Sequence, residues 1–72
     1  MNREIERECK EIMQFFGYAH LPDHLKVVSQ PFHDIANDMN NRLPVNFEKI
    51  STLRKILEAK DAAVRTVVAK ND

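Results

Sequence analysis

Apolar side chains recur every three or four residues along most of this chain, and that spacing is the feature that most restricts its fold. Such a period places the apolar residues on one face of an α-helix, whereas a half-buried strand needs strict alternation. A single glycine and three prolines interrupt the pattern. The sequence therefore predicts an all-α protein that forms one domain over residues 1–72.

The spacing predicts three helices, which are helix one at residues 1–16, helix two at residues 22–42 and helix three at residues 46–70. Gly17 would end helix one as a left-handed C-cap residue. Asn46 would cap helix three, because its side-chain oxygen can accept a free backbone N–H. Helices two and three are amphipathic and joined by a short connection, so we expect them to pack as an antiparallel hairpin after the short first helix.

Helix two contains an interior proline, Pro31. A proline at such a position removes one backbone donor and clashes with the carbonyl group four residues earlier. We therefore expect helix two to kink at Pro31, or to restart between Val27 and Gln30.

The chain has 72 residues and one cysteine, Cys9. A domain of this size buries only about 60 % of its unfolded surface, and small domains gain stability from disulfides, metals or partner subunits. A lone cysteine excludes a disulfide within the chain. We therefore expect the hairpins to assemble into a homo-oligomeric helical bundle.

Charge and targeting signals restrict the classes of function. Eleven basic residues balance eleven acidic ones, so the positive field that drives binding to DNA or RNA polymers is missing. No apolar run approaches the roughly 18 residues of a membrane span, and residues 1–4 do not begin a secretion signal. A lone thiol suits a reducing compartment. We expect a cytoplasmic protein whose partner is neither a nucleic-acid polymer nor a membrane.

Lys60 falls on the apolar stripe of helix three, seven residues after Leu53 and four before Val64. Burial of an unpaired ammonium group is costly, so such a lysine normally snorkels, pairs with an acid or faces a polar cavity. One interpretation is that the aliphatic stem of Lys60 lies at the rim of an interface, or that its ammonium group pairs with an acid of another chain, such as Glu58 or Asp61. The other interpretation is a cation placed for a ligand.

Tyr18 lies in the linker between helices one and two, where no apolar stripe requires a large aromatic side chain. Its ring would either cap the core of the hairpin or stack on a planar base. Base stacking contributes about 1–3 kcal/mol per base in nucleic-acid complexes. Spacing alone leaves both interpretations open.

The three histidines do not form a recognisable metal site. His20 and His24 are four residues apart, but Pro22 stands between them, and His33 has no acid or thiol at ligand spacing. Zinc sites normally present three or four protein ligands. The chain also lacks a nucleophile turn, a glycine-rich phosphate loop and a recognisable pair of carboxylates. We expect no metal, no cofactor and no enzymatic activity.

The order of several residues is similar to that of a known family. It comprises the aromatic element Phe16-Gly17-Tyr18, a nearby histidine and proline, the turn Leu43-Pro44, and Leu57-Glu58-Ala59 in a last helix that ends in alanine and a basic residue. Over residues 14–70 this order resembles the helical hairpin of phage anti-CBASS and anti-Thoeris cyclic-nucleotide sponges. Such proteins assemble into oligomers, commonly hexamers, and sequester the signalling nucleotides of bacterial immunity between protomers without cleaving them.

The resemblance implies roles for particular residues. Tyr18 matches the family tyrosine that stacks on a base, and Lys70 matches the basic residue near the end of the last helix. The chain has Ser29-Gln30 where the family has a basic residue for a phosphate, and it lacks the tryptophan usual in the last helix. Lys26 or Lys60 would then supply the cation.

These observations together predict a sponge for a cyclic oligonucleotide or a cyclic ADP-ribose-type signal, acting in the host bacterial cytoplasm if a phage encodes it. A two-fold symmetric ligand with two phosphates suits two copies of one aromatic residue and one cation across a dimer axis. The predicted binding residues are Tyr18, His20, Ser29, Gln30, Lys60, Arg65 and Lys70. The alternative is a structural or adaptor bundle that binds a protein partner through an exposed apolar stripe.

Overall fold

The computed structural model describes residues 2–69, and within that range the regular structure is entirely helical. Helix α1 spans Asn2–Met13 and continues as a 3₁₀ turn over Gln14–Phe16, α2 spans Asp23–Arg42, and α3 spans Phe47–Ala69. None of these helices is long and apolar enough to cross a membrane. The prediction of an all-α protein is confirmed.

Hydrogen bonds at the helix starts explain where α2 and α3 begin. The carbonyl oxygen of Pro22 accepts bonds from the N–H groups of Leu25 and Lys26, at 2.9 and 3.0 Å. The Oδ1 atom of Asn46 accepts a bond from the N–H of Lys49 at 3.1 Å, which satisfies one of the free donors in the first turn. The N-cap predicted at Asn46 is confirmed.

Gly17 does not have the left-handed conformation that was expected. Its φ and ψ of −59° and 137° are those of extended, polyproline-like backbone. The chain leaves helix one through a tight 3₁₀ turn, so no left-handed residue is needed. The linker turns afterwards, where the N–H of Leu21 donates to the carbonyl of Tyr18 at 3.1 Å. The prediction of a left-handed C-cap was therefore wrong.

Helix α2 continues through Pro31 without interruption and does not restart between Val27 and Gln30. The carbonyl of Val27 loses its usual helical partner there, because proline has no N–H. Buried residues on both sides of the proline, Ser29 and Ala36, anchor α2 against the rest of the molecule. Tertiary packing thus outweighs the local preference for a break.

The hydrophobic core lies where helix one covers α2 and α3. Within residues 2–69 the buried apolar residues are Ile5, Cys9, Ile12, Phe16, Ala36 and Leu53. Most of them belong to α1 or to the 3₁₀ turn after it, and both α1 and α2 pack chiefly against α3. The first helix therefore supplies most of the interior.

Burial divides the described chain into two parts. We call residues 2–16 and 32–57 the covered half, because they contain every buried apolar residue and the partly buried ones packed around them. We call residues 17–31 and 58–69 the open half. Ser29 is the only buried residue in these two segments. The candidate site lies on the side of the open half.

Candidate functional site

A cavity of about 480 Å³ lies where the end of helix one meets the open half. We call it the polar cavity. Its walls come from the 3₁₀ turn, the linker, α2 and the C-terminal part of α3. The lining residues are Gln14, Phe15, Gly17, His20, Leu21, Ser29, Lys60, Asp61, Val64 and Arg65.

Four of the seven predicted binding residues line the polar cavity, namely His20, Ser29, Lys60 and Arg65. Gln30 is exposed beside Ser29 but does not line the cavity. Tyr18 also lies outside its lining. Lys70 lies outside the described residues. The fold thus brings together residues from the linker, α2 and α3 that are far apart in sequence.

Lys60 is a mostly buried cation in the wall of this cavity. Its side chain is 15 % exposed, and its Nζ atom lies 3.0 Å from Oδ1 of Asp61, which is half exposed. An acidic partner was one of the interpretations of this lysine, and the partner found here belongs to the same chain. The pair offsets part of the cost of burying the ammonium group, while the side chain still lines the cavity.

Ser29 is one of the lining residues of the polar cavity, and none of its surface is open to water. Its Oγ atom has no hydrogen-bond partner within residues 2–69. A serine inside a helix usually bonds to a carbonyl group one turn earlier or to water. An unsatisfied buried hydroxyl costs about 1–3 kcal/mol. The Ser29 hydroxyl is therefore an unused hydrogen-bond donor and acceptor in the lining of the cavity.

Two exposed side chains, Phe15 and Arg65, lie at the mouth of the cavity. Phe15 is 63 % exposed, whereas its neighbour Phe16 is completely buried. Arg65 forms no ion pair with any residue of the described range. Phe15 was not among the predicted binding residues. In the sequence, Phe15 could have been recognised as a large aromatic residue that lies off the apolar face of helix one, two positions before Gly17.

Tyr18 packs against His33 of α2 instead of lining the cavity. The two rings meet edge to face, with their centroids 5.1 Å apart and their planes at 66°. Such aromatic contacts favour packing beyond the area they bury. This contact supports the interpretation of Tyr18 as a cap on the packed helices.

A second cavity, of about 470 Å³, is a groove between α2 and α3 that we call the apolar groove. Its lining residues are Pro31, Phe32, Ile35, Thr52, Lys55, Ile56 and Ala59. Ile35 is a large apolar residue of α2, yet 52 % of it is exposed. The groove is thus nearly equal in volume to the polar cavity but contains one charged residue and no acid.

A third cavity, of about 300 Å³, contains Cys9 and Lys49. Burial raises the pKa of the Cys9 thiol, and the positive charge of Lys49 opposes that rise in part. The thiol therefore stays protonated near neutral pH and is a poor nucleophile. No group of three His, Cys, Asp or Glu side chains in the described part of the chain could hold a metal ion.

The side chains around the polar cavity suit an organic anion that has a planar part. Lys60 and Arg65 supply positive charge, which Asp61 offsets in part. Ser29 and His20 supply hydrogen-bonding groups, and Phe15 supplies an aromatic face. No protein-family model, curated protein or solved structure matches this chain.

Proposed function

We propose that the protein binds and sequesters a cyclic oligonucleotide or a cyclic ADP-ribose-type signalling molecule without cleaving it. The observation that carries this proposal is the convergence of His20, Ser29, Lys60 and Arg65 on one cavity. Cations recognise phosphate oxygens through charge-assisted hydrogen bonds, and an aromatic side chain such as Phe15 suits a base. A volume of about 480 Å³ falls within the usual range of small-molecule sites, roughly 300–1,000 Å³.

The working form in this proposal is a homo-oligomer of antiparallel hairpins, a hexamer by the resemblance, with ligand held between protomers. The four-residue connection between α2 and α3 supports the hairpin, as does the shared lining of Ser29 with Lys60 and Arg65. Exposed large apolar residues of α2 and α3, such as Ile35 and Phe47, support association. Two polar cavities facing each other would match the two phosphates of a cyclic dinucleotide.

Phage-encoded immune evasion in the cytoplasm of a bacterial host is the biological setting of this proposal. The remaining predicted residues would then act in the assembled site. Gln30 is exposed beside the cavity, and the half-buried ring of Tyr18 lies in the same linker as His20. We propose that a neighbouring protomer brings Tyr18, Gln30 and Lys70 to the ligand.

Thermal melting against a panel of cyclic di- and trinucleotides and cyclic ADP-ribose isomers tests the proposal. A ligand at 100 times its Kd adds about 2.7 kcal/mol, and for a domain of this size each kcal/mol raises Tm by roughly 4–8 °C. We expect one ligand class to raise Tm by about 10 °C or more. Lys60→Gln should remove this shift.

The matched control is Lys55→Gln, because Lys55 lies on the same helix but lines the apolar groove. It should keep the full melting shift. A flat response across the panel, or a shift that survives in the Lys60→Gln variant, would contradict the proposal.

Two aromatic variants locate the base in the ligand complex. Loss of binding in Phe15→Ala with binding kept in Tyr18→Ala would place the base against the ring at the cavity mouth. The reverse result would place it on Tyr18, as the resemblance implies. Recovery of the ligand unaltered after heat denaturation of the complex would establish sequestration, whereas a cleaved product would show an enzyme.

The apolar groove favours a second function, that of a structural or adaptor bundle. A groove lined by Phe32, Ile35 and Ile56 suits the apolar face of a partner helix. In that case no cyclic nucleotide would change Tm, and Ile35→Asp would abolish binding of a protein partner. If the sponge proposal holds, a cyclic nucleotide instead raises the Tm of the wild-type protein.

A further inference from the structure

We infer that the polar cavity contains a subsite for one phosphate group, in which the phosphate replaces Asp61 as the partner of Lys60 and accepts a hydrogen bond from Ser29. This inference rests on the proposed function, because the phosphate belongs to the sequestered nucleotide. The inference names the chemical group that the cavity selects. It also says how that group enters, which is by replacing Asp61 as the partner of Lys60.

The pair of Lys60 and Asp61 is the first part of the argument. Adjacent residues on a helix do not face each other, so this pair forms only because the long lysine side chain bends towards its neighbour. Asp61 is half exposed whereas Lys60 is 15 % exposed, so solvent screens the carboxylate side of this pair. An anion inside the cavity can contact Lys60 and Arg65 together, whereas Asp61 returns to water when it is displaced.

The hydroxyl of Ser29 is the second part of the argument. It is fully buried, lines the cavity and has no partner in residues 2–69. A serine hydroxyl carries one O–H donor, and a ligand oxygen that reaches it would accept a hydrogen bond from that O–H group. A tetrahedral phosphate presents oxygens on several sides, so it can meet the hydroxyl and the cations at once.

Together these groups distinguish a phosphate from the rest of a nucleotide. Lys60 and Arg65 require negative charge, and Ser29 requires an acceptor. A nucleoside without a phosphate offers no negative charge to this subsite. We therefore expect affinity to depend on the phosphate, with the base contributing at the mouth near Phe15.

The test uses the full chain and isothermal titration at constant ionic strength, with pyrophosphate, adenosine monophosphate and adenosine as probes. We expect the two phosphate-containing probes to bind and adenosine to bind at least tenfold more weakly, roughly the effect of losing a charge-assisted contact. Ser29→Ala should lower the affinity for adenosine monophosphate about tenfold. Asp61→Asn should raise that affinity about fivefold, because the carboxylate that competes with the phosphate for Lys60 is gone.

Two matched controls separate these effects from general ones. Asp38→Asn removes a carboxylate that also pairs within one helix, with Arg42 at 2.7 Å, but lies outside the cavity lining. Ser51→Ala removes a serine hydroxyl that already has a carbonyl partner, on Phe47. Both controls should leave the affinity for adenosine monophosphate unchanged.

The inference is overturned if adenosine binds as tightly as adenosine monophosphate, or if Ser29→Ala and Asp61→Asn both leave the affinity unchanged. Its failure differs from failure of the proposed function. Binding of pyrophosphate and adenosine monophosphate with no response to the cyclic-nucleotide panel would support the subsite and refute the sponge. A cyclic nucleotide that binds equally to wild type, Ser29→Ala and Asp61→Asn would refute the subsite and support the sponge.

Discussion

In the covered half, helix one packs its apolar face onto α2 and α3, and Phe16 and Leu53 are completely excluded from water. In the open half, the only buried residue is the polar Ser29, and a cavity of about 480 Å³ lies beside it. The difference teaches that the covered half supplies stability while the open half carries the candidate site.

The largest expected effect is the difference in stability between alanine variants of two adjacent aromatic residues, Phe16 and Phe15. Phe16→Ala should lower the free energy of unfolding by about 3–5 kcal/mol, because it leaves a cavity in the core. Phe15→Ala, at an exposed ring, should change it by no more than about 0.5 kcal/mol. Urea denaturation followed by circular dichroism measures both. Equal losses in the two variants would contradict the assignment of Phe16, and not Phe15, to the core.

A smaller effect is expected at the start of α3, where the covered half depends on a cap. Asn46→Ala should cost about 1 kcal/mol, because the N–H of Lys49 loses its side-chain acceptor. Asn37→Ala is the control, since Asn37 is exposed in the middle of α2 and alanine is the better helix former. Thermal melting should show a lower Tm for the first variant only.

In the open half, Ser29→Ala should change the free energy of unfolding in the opposite direction. Removing a buried hydroxyl that has no partner in the described range should raise the free energy of unfolding by about 1 kcal/mol. Ser51→Ala, in which the lost hydroxyl had a carbonyl partner, should show no such gain. A clear loss of stability in Ser29→Ala would mean that the hydroxyl supports the fold rather than a ligand.

The smallest effect concerns pH and the covered half. Burial raises the pKa of the Cys9 thiol above its ordinary value of 9.0, so the folded state holds the thiol proton more tightly than the unfolded state. The corresponding stability is complete below pH 9.0 and is lost as pH rises through the folded pKa. The stability advantage of wild type over Cys9→Ala should therefore shrink as pH rises above about 9.0. An advantage that stays constant would contradict this assignment.

Much of the fold could be predicted from the sequence. The three- and four-residue spacing predicted helical regular structure, and the short polar side chain of Asn46 predicted the cap of α3. The conformation of Gly17 could not be predicted, because a glycine can follow a helix that ends in a 3₁₀ turn as well as one that ends in a left-handed cap. The continuity of α2 through Pro31 also depended on tertiary packing at Ser29 and Ala36.

The candidate site was predicted in part. Lys60 stood out because it broke an apolar stripe, and the structure places it in a cavity wall beside Asp61. Phe15 was missed because an exposed aromatic residue next to a buried one has no periodic signal. The unpartnered hydroxyl of Ser29 could not be foreseen either, because hydrogen-bond satisfaction depends on three-dimensional packing. The roles of the predicted binding residues remain predictions.

Hydrogen exchange with and without ligand tests most directly whether the polar cavity is the binding site. The measurement uses the wild-type protein and the cyclic nucleotide that raises its Tm most. We predict that added protection concentrates in the two segments of the open half, residues 17–31 and 58–69, and in the adjoining residues 14–16, while the rest of the covered half changes little. Protection confined to the lining of the apolar groove, or no protection with any member of the panel, would contradict the proposed site.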